Sequence, residues 1–205
     1  MSKQIQRDKE IYLAVEILGK YSEDGNPIAI DERTGDMLDP RNIDHKIKIY
    51  EREVKEWFLD IASRLIESNR FNNGFIVLMI CIAYFEGVEQ YKTGVASSSR
   101  SKECFKDSIK RLYPEKFQDK EIDKFYTKSR CGLFHNGMVK GGVVFNYSLH
   151  EPIEFSNNGE IIQINPKQLL EDIENDFEQY LNELKDNENR TTRDNFDRMF
   201  NVLEG

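Results

Sequence analysis

The part of this chain richest in groups able to do chemistry is Lys128-Ser129-Arg130-Cys131-Gly132-Leu133-Phe134-His135-Asn136-Gly137. Imidazole titrates near neutrality and can move a proton. A guanidinium offers a rigid fork of donors that matches phosphate or carboxylate oxygens. Arg130 and His135 are five positions apart, which on an ideal helix is about 140° of azimuth, so a single helix does not by itself converge them. Cys131 and His135, four apart, can share a helical face as a thiol–imidazole pair or as half of a zinc site. A structural zinc needs four ligands, and Cys81, Cys104, His45 and His150 offer no local pairing, so no metal and no cofactor is expected. A purely structural use is open to each residue: Arg130 as a salt bridge to Glu86 or Glu89, His135 as a packed or capping histidine at a helix end.

Other groups stand near this stretch. Glu86 follows the apolar run Phe75 to Phe85, so its carboxylate either needs a buried partner, with Arg130 the candidate, or emerges into water beside Glu89 and Gln90. Tyr126 and Phe134 can stack on a base or serve as core. Asn136 to Gly142 is glycine-rich but lacks the Gly-Lys-Ser/Thr ending of a phosphate loop, and reads as a turn.

The elements that must hold these groups read mainly as helices. Asp8 to Tyr21 carries Ile11, Ala14, Val15 and Leu18 at helical spacing. Ser22 to Asn42 is rich in breakers and reads as a connector with a short strand at Ile28 to Ile30. Asp44 can cap a long helix whose apolar positions Ile47, Tyr50, Val54, Trp57, Phe58, Ile61 and Leu65 recur at three and four. Phe75 to about Tyr91 should be the central helix. Ser97-Ser98-Ser99 caps another through Leu112, and Asp119 opens a fifth that runs into the Arg130–His135 stretch. Val143 to Tyr147, Ile153 to Phe155 and Glu160 to Ile164, with Asn157-Asn158-Gly159 between the last two, predict a β-hairpin or small meander near 142–164. Asn165-Pro166 starts a closing helix. The expected fold is a mainly all-α antiparallel bundle: 1–43 an N-terminal helix and connector, 44–187 the bundle with its β insertion, and 188–205 a helical tail.

Composition narrows the class. The 205 residues carry 29 basic and 37 acidic side chains, a net charge of −8. From Lys92 to Gly141 there are 12 basic against 6 acidic residues, net +6, leaving −14 elsewhere. A basic middle in an acidic chain suits an anionic ligand, though it is also what a solvated mixed-charge helix surface looks like. The longest apolar run is 11 residues, short of the roughly 20 a bilayer span needs. Three cysteines without a C-x-x-C, and no apolar leader, point to a soluble protein of a reducing, cytoplasmic compartment, without membrane contact.

Arg130, four intervening residues and His135, set in the basic region after an apolar helix carrying Glu86 and before an amphipathic closing helix, resemble the HEPN (higher eukaryotes and prokaryotes nucleotide-binding) family from about Asp44 to Lys185. The resemblance implies a metal-independent endoribonuclease that works as a homodimer, the two motifs meeting in one cleft. His135 would then be the general acid/base and Arg130 the cation on the scissile phosphate. Glu86, Cys131 and Asn136 would support and orient them, and Lys124, Tyr126, Lys128 and Lys140 would contact RNA. It further implies a toxin–antitoxin or phage-defence setting, with an antitoxin protein as a second partner. Active members often carry Asn, Asp or His after the arginine, where this chain has Cys131. The alternative is a non-catalytic RNA- or nucleotide-binding or dimerisation module.

Overall fold

The computed structural model of the chain describes residues 4–68 and 70–203. In chain order it contains β1 (Ile11–Ala14), β2 (Ile17–Tyr21), β3 (Pro27–Asp31), β4 (Met37–Leu38), α1 (Ile43–Val54), α2 (Asp60–Glu67), α3 (Gly74–Thr93), α4 (Ser101–Leu112), α5 (Asp119–Phe125), α6 (Cys131–Asn136), β5 (Val143–Phe145), β6 (Ile153–Ser156), β7 (Ile161–Ile164), α7 (Pro166–Lys185) and α8 (Arg190–Met199). π-helical turns, Lys55–Leu59 and Tyr126–Arg130, join α1 to α2 and α5 to α6. The fold is mixed α/β with two sheets, which corrects the expected all-α bundle. Strands of two to five residues are too short for their alternation to stand out against helical stripes in the sequence.

Two compact units share the chain. One holds the chain up to Ile61, Tyr91–Val95, and the chain from Gln179 onward. Its sheet is an antiparallel meander, β1-β2-β3-β4. The helix expected over Asp8 to Tyr21 is therefore a β-hairpin, and the connector expected over Ser22 to Asn42 contains two further strands. The three–four spacing of Ile11, Ala14, Val15 and Leu18 has another origin. A register shift between Tyr12 and Ala14 and a turn with Glu16 at φ 53° interrupt the two-residue alternation. Leu13, Ala14, Ile17 and Ala29 face inward and are buried. Gly19 lies so close to Ile5 and Leu13 that a Cβ would sit 2.8 Å from Ile5 Cγ1.

Asn42, not Asp44, caps α1, its side chain accepting from the backbone N–H of Asp44 and His45. Tyr50 on α1 packs against Tyr91, Phe196 and Phe200 with ring centroids 4.9 to 5.4 Å apart, which ties α8 into this core. Asp31, fully buried at the end of β3, takes the Arg52 fork at 2.7 and 2.8 Å.

The other unit holds Ala62–Gln90 and Ala96–Glu178. Phe71–Thr93 is long and apolar enough by length and composition to cross a membrane, with mean hydropathy 1.5. Its Val77, Leu78, Cys81, Ile82 and Phe85 are packed inside the unit, while Ile76, Met79 and Ala83 stay exposed. α4 and α5 form an antiparallel pair laced by Lys110–Asp119, Lys106–Asp123 and Lys102–Asp123. The second sheet has the order β5-β7-β6, with β5 parallel to β7 and β6 antiparallel to it, so it is neither a simple hairpin nor a meander. The Asn146–Pro152 loop crosses over to allow this, and Asn165 steadies it by donating to the carbonyls of Leu149 (2.7 Å) and Tyr147 (3.3 Å).

Candidate functional site

Arg130 closes the π-helical turn and is the pivot of the site. Its Nε and Nη2 both donate to Glu86 Oε2, at 3.2 and 3.1 Å. A guanidinium has five N–H donors. Two go to Glu86, and among the described residues the Nη1/Nη2 edge has no other partner. The group also lies over the rings of Phe134 (5.3 Å) and Tyr126 (5.7 Å), its helical neighbours at plus and minus four. Both charged side chains are about one-fifth exposed, so the pair is shielded yet open on one side.

Glu86 is held in turn by α4 and the loop before it. Ser101 Oγ donates to Glu86 Oε2 at 2.8 Å, and Ser97 Oγ to Oε1 at 3.3 Å. Ser101 Oγ also lies 3.1 Å from the Tyr126 hydroxyl. The sequence marks Ser97 only as part of a helix cap and gives Ser101 no role; α4 in fact begins at Ser101 with Arg100 at its N-cap. Only α3 and α4 coming side by side gives them a carboxylate to bind. A serine pair four residues apart at a helix start was the sole available signal.

His135 sits exposed in the last turn of α6, followed by exposed Asn136 and by Gly137 at φ 70°, the left-handed residue that ends the helix. Among the described residues, neither the His135 nor the Asn136 side chain has a hydrogen-bond or ion-pair partner, and no bond joins His135 to Arg130. Gly132 lets the chain fold back over α6. A Cβ there would lie 2.8 Å from the Met138 carbonyl oxygen and 2.9 Å from the Lys140 amide nitrogen, and that amide donates to the Lys128 carbonyl at 2.8 Å.

The residues expected to contact RNA are divided. Lys140 is exposed, and among the described residues its side chain has no hydrogen-bond or ion-pair partner. Lys124 donates to the Asn158 carbonyl (2.7 Å) and Glu160 Oε1 (2.6 Å), and Lys128 to the Glu160 carbonyl (2.6 Å) and Oε2 (3.0 Å). Lys124, then Lys128, hold the Glu160 carboxyl down to about 2. Tyr126 turns its hydroxyl inward to Ser101, and its ring meets Phe105 edge-on at 5.4 Å. Much of the basic charge between Lys92 and Gly141 is thus matched locally, because folding sets Asp119, Asp123, Glu151 and Glu160 beside lysines distant in sequence. Cys131 is a half-buried free thiol, whereas Cys81 and Cys104 are buried and burial pushes both thiols up. Among the described residues, no group of three or more His, Cys, Asp or Glu is placed to hold a metal ion.

Chemically, the arrangement offers one oriented cation with a free donor edge and, further along the same helical run, one solvent-facing imidazole. Comparison of the chain with protein families, with curated proteins and with solved structures gives no match.

Proposed function

We propose that this protein is a HEPN-like, metal-independent endoribonuclease whose site is completed by a second copy of the chain. The observation that carries the reading is the Glu86–Arg130 clamp. A carboxylate holds one edge of the guanidinium and leaves the other to bind a phosphodiester bidentately. In the reaction, the 2′-oxygen attacks the adjacent phosphorus as its proton leaves, and the P–O5′ bond breaks with a proton supplied to the departing oxygen. Arg130 stabilises the charge gathering on the phosphoryl oxygens. His135, exposed and unengaged, is the proton carrier.

Five positions apart, Arg130 and His135 fall about 140° apart on an ideal helix, which favours a partner copy supplying the second group. The exposed residues Ile76, Met79 and Ala83 on α3 support this. They recur at three and four, and the same spacing continues to Glu86, so an uncharged apolar stripe leads to the clamp. An apolar stripe without charge is complementary to itself, as a two-fold contact requires.

The test is incubation of the full chain with mixed-sequence RNA in EDTA, beside Arg130→Ala and His135→Ala. Cleavage by the wild type and loss in both variants is the expected result. Cleavage that persists unchanged in both refutes the assignment. RNA binding that weakens steeply with salt, without cleavage by any form, identifies a binding module instead.

A further inference from the structure

The Glu86 carboxylate belongs to a closed ring of four side chains, and chemistry fixes the direction of its hydrogen bonds. An ionised carboxylate only accepts, so the one Ser101 hydroxyl proton goes to Glu86 Oε2 (2.8 Å). The contact between Ser101 Oγ and the Tyr126 hydroxyl (3.1 Å) then has Tyr126 as its donor. The chain therefore runs from Tyr126 through Ser101 to Glu86. Arg130 closes it, donating two N–H groups to the same Oε2 while its guanidinium lies over the Tyr126 ring at 5.7 Å. Each bond in such a run polarises the next.

Resting on the reading of Arg130 as the phosphate-binding cation, we propose that Ser101 is a positioning residue of the site. Its hydroxyl sets the Glu86 carboxylate, and through it the edge that Arg130 turns toward the phosphodiester. A glutamate has three rotatable bonds and an arginine four, and their mutual contact alone leaves the pair free to swing together. Ser101, fixed in the first turn of α4, anchors the pair to a separate helix. Ser97 adds a weaker hold on the other carboxylate oxygen, at 3.3 Å. Removing Ser101 strips Oε2 of its anchor and leaves the Tyr126 hydroxyl without its acceptor, while Arg130 and His135 themselves are untouched. Displacements near 1 Å in such groups cost up to about a hundredfold in rate. A partial loosening should cost about tenfold.

The experiment uses the full chain as wild type, Ser101→Ala and Ser101→Thr, with equal thermal melts as the check that all three fold alike. The first readout needs no RNA. The Arg130 Nε–H resonance in ¹⁵N-edited NMR, identified by its loss in Arg130→Lys, should shift and exchange with water several-fold faster in Ser101→Ala. Ser101→Thr, which keeps the hydroxyl, should restore it. An unchanged resonance in Ser101→Ala overturns the proposal. The second readout is cleavage of single-stranded RNA. kcat should fall about tenfold in Ser101→Ala with KM within twofold, and recover in Ser101→Thr; wild-type kcat in Ser101→Ala likewise overturns it. Should the wild type cleave nothing, the ribonuclease reading fails by itself, and the resonance of Arg130 still decides whether Ser101 positions it.

Discussion

Gly132→Ala separates what local propensity expects from what the tertiary structure demands. In a helical run, replacing glycine by alanine is favourable by about 1 kcal/mol, because alanine loses less backbone entropy on folding. Position 132 reverses that sign. The new Cβ would sit 2.8 Å from the Met138 carbonyl oxygen, 2.9 Å from the Lys140 nitrogen and 3.1 Å from Val139 Cα, and all three are backbone atoms that cannot rotate aside. Overpacking of this kind costs about 1–3 kcal/mol. If the 138–140 segment lifts to escape, the Lys140 N–H to Lys128 carbonyl bond (2.8 Å) and the weaker Met138 N–H to Gly132 carbonyl bond (3.3 Å) are lost, each about 0.5–1.5 kcal/mol net. Setting either cost against the propensity gain leaves a destabilisation of about 1 kcal/mol, and at most about 2. Gly87→Ala is the matched control, since a Cβ at this α3 position meets nothing within 4 Å, and it should gain about 0.5–1 kcal/mol. Urea unfolding of wild type and both variants, followed by circular dichroism, reads the two signs. A Gly132→Ala protein as stable as wild type, or a destabilised Gly87→Ala, would refute the account of how the loop closes over α6.

Two further outcomes follow from single residues. Asp31→Ala leaves the Arg52 guanidinium without its buried carboxylate and should cost about 3 kcal/mol, a fall in Tm of about 6–12 °C for a chain of this size, read by calorimetry. The Arg52 fork, with Lys48 and the Arg33 N–H, holds the Asp31 carboxyl far below the usual carboxylate range. Its contribution is therefore complete above the unfolded value near 4 and is lost as pH falls below it. An acid-melting profile unchanged by Asp31→Asn would contradict this. Met79→Asp, which places a charge on the exposed α3 stripe, should convert a dimer to a monomer in sedimentation velocity and abolish cleavage with Arg130 and His135 intact. A dimer that survives the substitution moves the proposed contact elsewhere.

The helices were legible in the sequence because each carries its own period. Ile47, Tyr50 and Phe85 are buried as their spacing predicts, and the Arg130–His135 run lies in a continuous helical stretch. The stripe beyond Tyr50 does not hold: the π-helical turn Lys55–Leu59 shifts its phase, so Phe58 and Ile61 are exposed while Leu59 and Ala62 are buried. Of the N-terminal sheet only the strand at Ile28 to Ile30, now the middle of β3, was legible. A hairpin with a register shift and a left-handed turn residue imitates helical spacing, and strand pairing depends on partners far along the chain. For the site, residue types and spacing alone raised Arg130 with Glu86 as a candidate pair, since a carboxylate at the end of an apolar helix needs a cation. Only the packing of α3 against α4 and the π-helical turn determined that the pair forms, that Ser97 and Ser101 hold it, and that Tyr126 faces inward. Only the approach of Glu160 occupied Lys124 and Lys128. Periodicity is a property of neighbours in sequence and can be read from them, whereas which charges meet is set by long-range closure, to which local spacing contributes nothing.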